Sequence, residues 1–100
     1  MAAQPLQIVF LDRDTISPST VLRKPSFPHE FKVHARTRPE EVAERIAQAD
    51  IVIVNKVPVR REAIEQAARL KMIALAATGT DNVDLGACER KGVVVSNIRR

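Results

Sequence analysis

Apolar residues gather along the chain in short runs rich in β-branched side chains: residues 8–11 (IVFL), 31–35 (FKVHA), 51–54 (IVIV), 72–76 (MIALA) and 93–95 (VVV). Val and Ile favour the pleated surface of a sheet, so these runs predict five strands. The runs at 51–54 and 93–95 are apolar at consecutive positions, the pattern of a strand covered on both faces in a parallel sheet. The second to fifth runs begin at 31, 51, 72 and 93. Intervals of this size suit parallel neighbours, which need a crossover of about a dozen residues or more.

The intervals carry helical signals. Between the second and third runs, Thr37 and Glu40 form a T-x-x-E capping box, Pro39 stands in the first turn, and Val42, Ala43, Ile46 and Ala49 recur at helical spacing. Between the third and fourth, Ala63, Ile64, Ala67 and Ala68 form an apolar stripe among Arg60, Arg61, Glu62, Glu65 and Arg69. The last interval predicts a short helix with Asp84 as N-cap, Leu85 and Cys88 facing inward, Arg90 and Lys91 in the last turn and Gly92 at C′. The first interval is different: Pro18, Pro25 and Pro28 leave room for at most a turn or two of helix.

Strands alternating with helices, after one irregular connection, predict an α/β fold: a flavodoxin-like open parallel five-stranded sheet of order 2-1-3-4-5. Right-handed crossovers then put all three clear helices on one face, and only the proline-interrupted connection on the other. The layers are expected to be incomplete, and residues 1–100 alone to be unstable or self-associating. Each apolar side chain left wet on the bare face would forgo about 1.5–3 kcal/mol of burial.

Composition narrows the function. The chain holds 13 Ala, 12 Val and 8 Ile, with 3 Phe and neither Tyr nor Trp, so its core is aliphatic. One hundred residues suffice for one small domain. The longest apolar run, residues 72–77, is far below the roughly 18 that a spanning helix needs, and no basic-then-apolar N-terminal signal is present, so a cytoplasmic protein without a membrane partner is expected. A single cysteine, Cys88, excludes an internal disulfide framework and a multi-cysteine zinc site; on the inward stripe of a helix it reads as a small buried hydrophobe. The net charge of +4 is dispersed in pairs such as Arg60-Arg61 and Arg90-Lys91 without interleaved aromatics, which argues against a nucleic-acid platform.

In open parallel sheets ligands bind beyond the carboxyl ends of the strands. The residues following the five runs are Asp12, Arg13 and Asp14; Arg36 and Thr37; Asn55 and Lys56; residues 78–82 (TGTDN); and Ser96 with Asn97. Gly79 permits close approach of a ligand to the main chain, and successive exposed N–H groups in such a turn can hold a carboxylate or phosphate. The same pattern also fits an ordinary strand-to-helix loop. Asp12 and Asp14 together could suggest the acidic Mg²⁺ pocket of a receiver domain, but the third strand ends in Asn55 and Lys56 rather than a phosphorylatable Asp.

The stretch 77–85 (ATGTDNVDL), followed by Ala87, Gly92, Val93, Val95 and Asn97, resembles the substrate-binding domain of D-isomer-specific 2-hydroxyacid dehydrogenases, and with Asn55-Lys56-Val57 most resembles the glycerate dehydrogenase, or hydroxypyruvate reductase, branch. The resemblance implies a parent oxidoreductase that moves a hydride between NAD or NADP and a small 2-oxo or 2-hydroxy acid. This chain would be the N-terminal segment of the substrate-binding domain, and the parent a homodimer. Backbone amides matching Thr78 and Gly79 would help hold the substrate carboxylate, with Asn55 and Lys56 bordering the same cleft. No catalytic residue is expected here: the family's nucleotide-binding domain and its catalytic Arg, Glu and His lie beyond the matched region. A covering helix would likewise come from later chain.

The glycines agree with that division. Gly79, Gly86 and Gly92 are spaced seven and six apart and cannot form G-x-G-x-x-G, so no bound cofactor and no activity are expected of these 100 residues alone. His29 and His34 fall in the proline-rich connection and the second run and read as structural or exposed. The alternative is a free-standing flavodoxin-like module that binds a small anion or a partner protein at its strand ends.

Overall fold

The computed structural model describes residues 5–15, 29–76 and 82–97. Within them β1 spans Leu6–Phe10, β2 His29–Val33, β3 Ile51–Val54, β4 Met72–Leu75 and β5 Val94–Asn97, with α1 at Val42–Ile46, α2 at Arg61–Gln66 and α3 at Leu85–Lys91. All four strand pairings are parallel and the order is β2-β1-β3-β4-β5, the flavodoxin-like arrangement that the pattern predicts.

Strand alternation assigns the faces. Val9, Leu11, Val52, Val54, Ile73 and Leu75 join one buried cluster with Val42 and Ile46 of α1, Ala63 and Ile64 of α2, and Ala87 and Cys88 of α3. All three helices therefore cover the same face, as right-handed crossovers require when the chain steps repeatedly in one direction. On the opposite face the covering is uneven. Ile8, Phe10 and Ala74 are buried there, Ile51, Ile53 and Met72 are half-buried, and Val33 and Val94 at the two edges are 51% and 60% exposed. Residues 16–28, the proline-interrupted connection expected on this face, lie outside the described residues.

Several boundaries differ from the sequence pattern for identifiable reasons. β1 starts at Leu6 and β2 at His29 because each lengthens by pairing with the other, Leu6 opposite His29 through Phe10 opposite Val33, although Gln7 and Glu30 interrupt the apolar run. β5 runs on to Asn97, with Ser96 opposite Ala74, so Ser96 and Asn97 belong to the strand rather than to the loop after it. The capping box falls one residue late: Arg38 precedes a 3-10 turn at Pro39–Glu41 and donates its N–H to Glu41 Oε1 at 2.9 Å. Thr37 is spent elsewhere, its hydroxyl donating to the Leu11 carbonyl at 2.6 Å. Ala68 is exposed because the helix stops before it; Ala67 already has ψ 83°.

α3 begins as expected, with Asp84 accepting from the Ala87 N–H at 3.0 Å, and ends at Gly92 with φ 77°, a left-handed value that favours glycine. Leu85, expected to face inward, is 47% exposed. The buried seam runs between Ala87 and Cys88, and at 100° per residue Leu85 lies about 110° from its centre.

Candidate functional site

In this strand order the chain reverses direction between β1 and β3, so the crevice beyond their carboxyl ends is the favoured ligand position. Asp12, two residues past β1, stands at this point and is 1% exposed. Its Oδ1 accepts the Asn55 N–H at 2.8 Å, and its Oδ2 accepts the N–H groups of Lys56 at 2.6 Å and Val57 at 3.1 Å. A carboxylate accepting three successive amides fills an anion-binding turn with a charge from within the chain.

The carbonyl side of the same turn is also held. Asn82 Nδ2 donates to Val57 O at 3.1 Å and more weakly to Asn55 O at 3.4 Å. A parallel bridge pairs Val59 with Val83, flanked by Val59 N–H to Asn82 O at 2.6 Å and Asp84 N–H to Val59 O at 3.1 Å. The residues just after the 77–81 stretch are thereby stitched to the residues just after β3. Asn55 turns its side chain toward the first connection, where Nδ2 donates to Thr15 Oγ1 at 2.9 Å and to Thr15 O at 3.2 Å.

Of the substrate-binding residues that the sequence singles out, Asn55 and Lys56 lie in this turn at the switch point, whereas Thr78 and Gly79 lie outside the described residues. The Asn55 and Lys56 amides are consumed by Asp12, so what this pair can offer a ligand is its side chains. Lys56 is exposed and takes part in no ion pair among the described residues. Asp14, Arg36 and Thr37, which also follow strands, have partners within the chain. Asp14 pairs with Arg36 at 3.8 Å with both side chains exposed, an arrangement worth little. Thr37 accepts from Arg45 Nη1 at 2.7 Å, and the same nitrogen donates to Arg36 O at 2.7 Å.

Three titratable groups outside this turn depart from their ordinary pKa values. Burial, with help from the nearby Arg45 cation, lowers the His34 pKa. The Arg38 N–H lowers that of Glu41. Burial, then the Asp84 charge, raises the Cys88 thiol, which matches an inert buried cysteine. Among the described residues no three His, Cys, Asp or Glu converge on a metal position, and Asp12, spent on amides, does not form the acidic pocket of a receiver domain.

A model of the family described as D-isomer specific 2-hydroxyacid dehydrogenase, catalytic domain, matches residues 8–100. The chain belongs to this family. Among its relatives, the glycerate dehydrogenase of Methylorubrum extorquens is 46% identical over 94 residues, covering 93% of this chain and 29% of that protein. A hydroxypyruvate reductase of Blautia hydrogenotrophica is 42% identical over 59 residues, 59% of this chain and 18% of that protein. Of solved structures, an NAD+-bound 3-phosphoglycerate dehydrogenase of Entamoeba histolytica superposes with TM-score 0.71 at 28% identity, covering 94% of this chain and 33% of that one. The chain thus spans about a third or less of the length of these relatives.

That solved 3-phosphoglycerate dehydrogenase holds NAD+, a cofactor that the described residues of this chain do not fit. A pyrophosphate needs free amides at a glycine-rich strand-to-helix turn. The amide-rich turn at the switch point is already filled by a carboxylate, Gly86 sits within α3, and Gly92 closes its C-terminus.

Sequence reasoning missed the work of Asp12 and Asn82. Asp12 was readable only as one of two acids after a strand, and Asn82 as the tail of a glycine loop. The usable signal was positional: an acid closing one switch-point strand opposite a short turn closing the other.

Proposed function

We propose that this chain is the N-terminal segment of the substrate-binding domain of an NAD- or NADP-dependent oxidoreductase that interconverts hydroxypyruvate, or a similar small 2-oxo acid, with the D-2-hydroxy acid. The observation that carries the reading is the position of the Asn55-Lys56-Val57 turn, braced from both sides at the switch point, in a chain so similar to a glycerate dehydrogenase. The substrate is anionic. Lys56 supplies a cation at the crevice mouth, Asn55 borders it, and the amides of Thr78 and Gly79 receive the carboxylate, since peptide N–H groups bind a carboxylate without a proton exchange.

Hydride transfer and its acid–base partner belong to the nucleotide-binding domain elsewhere in the parent polypeptide. His29 lies in β2 and His34 just beyond it, on the edge strand rather than in the turn after β3, and neither is assigned to that chemistry. These 100 residues alone neither reduce hydroxypyruvate nor bind NADH.

The test is steady-state kinetics of the full-length protein carrying this chain, with hydroxypyruvate and NADH or NADPH, alongside Gly79→Val. A β-branched side chain there blocks approach of the carboxylate to the main chain, and is expected to raise KM for the 2-oxo acid about tenfold or more while the KM for the cofactor stays. Absence of wild-type turnover overturns the function, and an unchanged KM and kcat in Gly79→Val overturns the role of the glycine stretch.

A further inference from the structure

A buried acid that touches no ligand can still decide where a ligand binds. Asp12 is nearly inaccessible, and both its oxygens are spent on the N–H groups of Asn55, Lys56 and Val57. Two consequences follow. First, the one anion-binding turn among the described residues at the switch point is closed to an external carboxylate, because it is already occupied by an internal one. Second, the peptide planes of residues 55–57 are fixed, with their N–H groups directed to Asp12 and two of their carbonyls accepting from Asn82 Nδ2. Lys56 is the central residue of this turn, and its side chain is exposed and in no ion pair among the described residues.

We propose that Asp12 is a positioning residue for substrate selection: by holding the Asn55-Lys56-Val57 turn it aims the Lys56 ammonium at the anionic 2-oxo acid and bars that acid from the turn's own amides. This rests on the functional reading above and deepens it, since it assigns the charge at the crevice to Lys56 alone on this turn. Asp12→Asn keeps shape and volume but replaces one acceptor oxygen with a donor, which faces either the Asn55 amide or the Lys56 and Val57 amides. The turn must then rotate, and Lys56 with it.

The experiment is a mutant cycle in the full-length enzyme with hydroxypyruvate as substrate, reading KM for the acid, KM for the nicotinamide cofactor, kcat and Tm. Asp12→Asn and Lys56→Gln are each expected to raise KM for hydroxypyruvate about tenfold with kcat and the cofactor KM within about twofold, and Lys56→Arg to recover most of the loss. The double variant is expected to sit near either single one, about tenfold rather than the hundredfold that independent effects would give. Asn82→Ala, which releases the carbonyl side of the turn, provides the same comparison if Asp12→Asn does not fold. Independent effects in the cycle overturn the proposal, as does a lowered Tm with an unchanged KM for the acid. A wild-type enzyme that turns over no 2-oxo acid overturns the functional reading and this inference with it, whereas wild-type turnover with an unaltered Asp12→Asn KM overturns the inference alone.

Discussion

The sheet has a buried aspartate at each end, and the two are held differently. At the carboxyl end Asp12 is met by three consecutive main-chain amides. At the amino end Asp50, 0% exposed, accepts one amide, that of Gln7 at 2.8 Å, and is flanked by Arg69 at 3.3 Å and Lys71 Nζ at 3.8 Å. The main chain of Asp50 also joins three strands, donating to Gln7 O and accepting from the N–H groups of Lys71 and Met72. Its charge is balanced by side chains that reach in from solvent, and its effect is to lock β1, β3 and β4 in register. Asp12 shapes a turn instead, and the nearby cation Lys56 is in no ion pair among the described residues. One end is a fastening, and the other sets up a site, which accords with ligands binding at the carboxyl ends of open sheets.

The largest expected effect follows from what each acid leaves behind. In the full-length protein, Asp12→Ala strands three amide donors, each costing about 1–3 kcal/mol if unsatisfied, and with some relief from entering water the loss should be about 3–5 kcal/mol. Asp50→Ala strands one amide and two cations that swing into solvent, for a loss of about 1–3 kcal/mol. Urea unfolding midpoints at neutral pH measure both. A greater loss at Asp50 would break the comparison, because it would place the main fastening in the ion pairs rather than in the amides.

A smaller effect sharpens it. Lys71 has a side chain 73% exposed and lies at the outer limit of ion-pair distance, so Lys71→Ala should cost no more than about 0.5 kcal/mol. Arg69, 38% exposed and presenting both Nε and Nη2 to the carboxylate, should cost more, about 1 kcal/mol. Raising NaCl toward 1 M should shrink both penalties, since exposed charges are screened over about 3 Å at that strength. It should leave the Asp12→Ala penalty in place, because the partners of this carboxylate among the described residues are main-chain amides. A salt-sensitive Asp12 penalty would mean that a cation shares in holding it.

The two ends also differ in how legible they were. The β3 boundaries, the strand order, the single helical face and the α3 caps could all be read from the chain, because each depends on local pattern: IVIV at 51–54, interval length, Asp84 and Gly92. Features set by partners distant in sequence could not. Leu6 and His29 became strand through mutual pairing, and Thr37 was drawn from a helix cap to the Leu11 carbonyl, 26 residues away. The site behaved in the same way. Asn55 and Lys56 were visible as strand-end residues, but Asp12 is 43 residues from the first amide it holds, and Asn82 is 25 from Val57. No spacing rule in one sequence pairs residues across that distance. Asp50 was equally hidden, as one more acid before a strand.

The smallest expected effect is one of pH, and it belongs to the carboxyl end alone. His34 follows β2 and donates its main-chain N–H to Phe10 O, just ahead of Asp12. Burial is the chief cause of its lowered pKa, with Arg45 and Lys32 acting in the same sense and Glu41 opposing them. The folded state therefore binds its proton less readily than the unfolded chain, whose imidazole titrates at the ordinary value of 6.5. The resulting stability is fully present above that value and is lost as pH falls from there through the folded pKa. Glu41, whose pKa is lowered from 4.5, acts below this window and does not confuse it. Urea midpoints of the full-length protein should fall from pH 7.5 to about pH 5.5 more steeply in the wild type than in His34→Gln, which cannot take the proton. Parallel curves for the two would remove His34 from the account of this end. A steeper fall in the Asp12→Ala background would show instead that the imidazole and the braced turn are coupled.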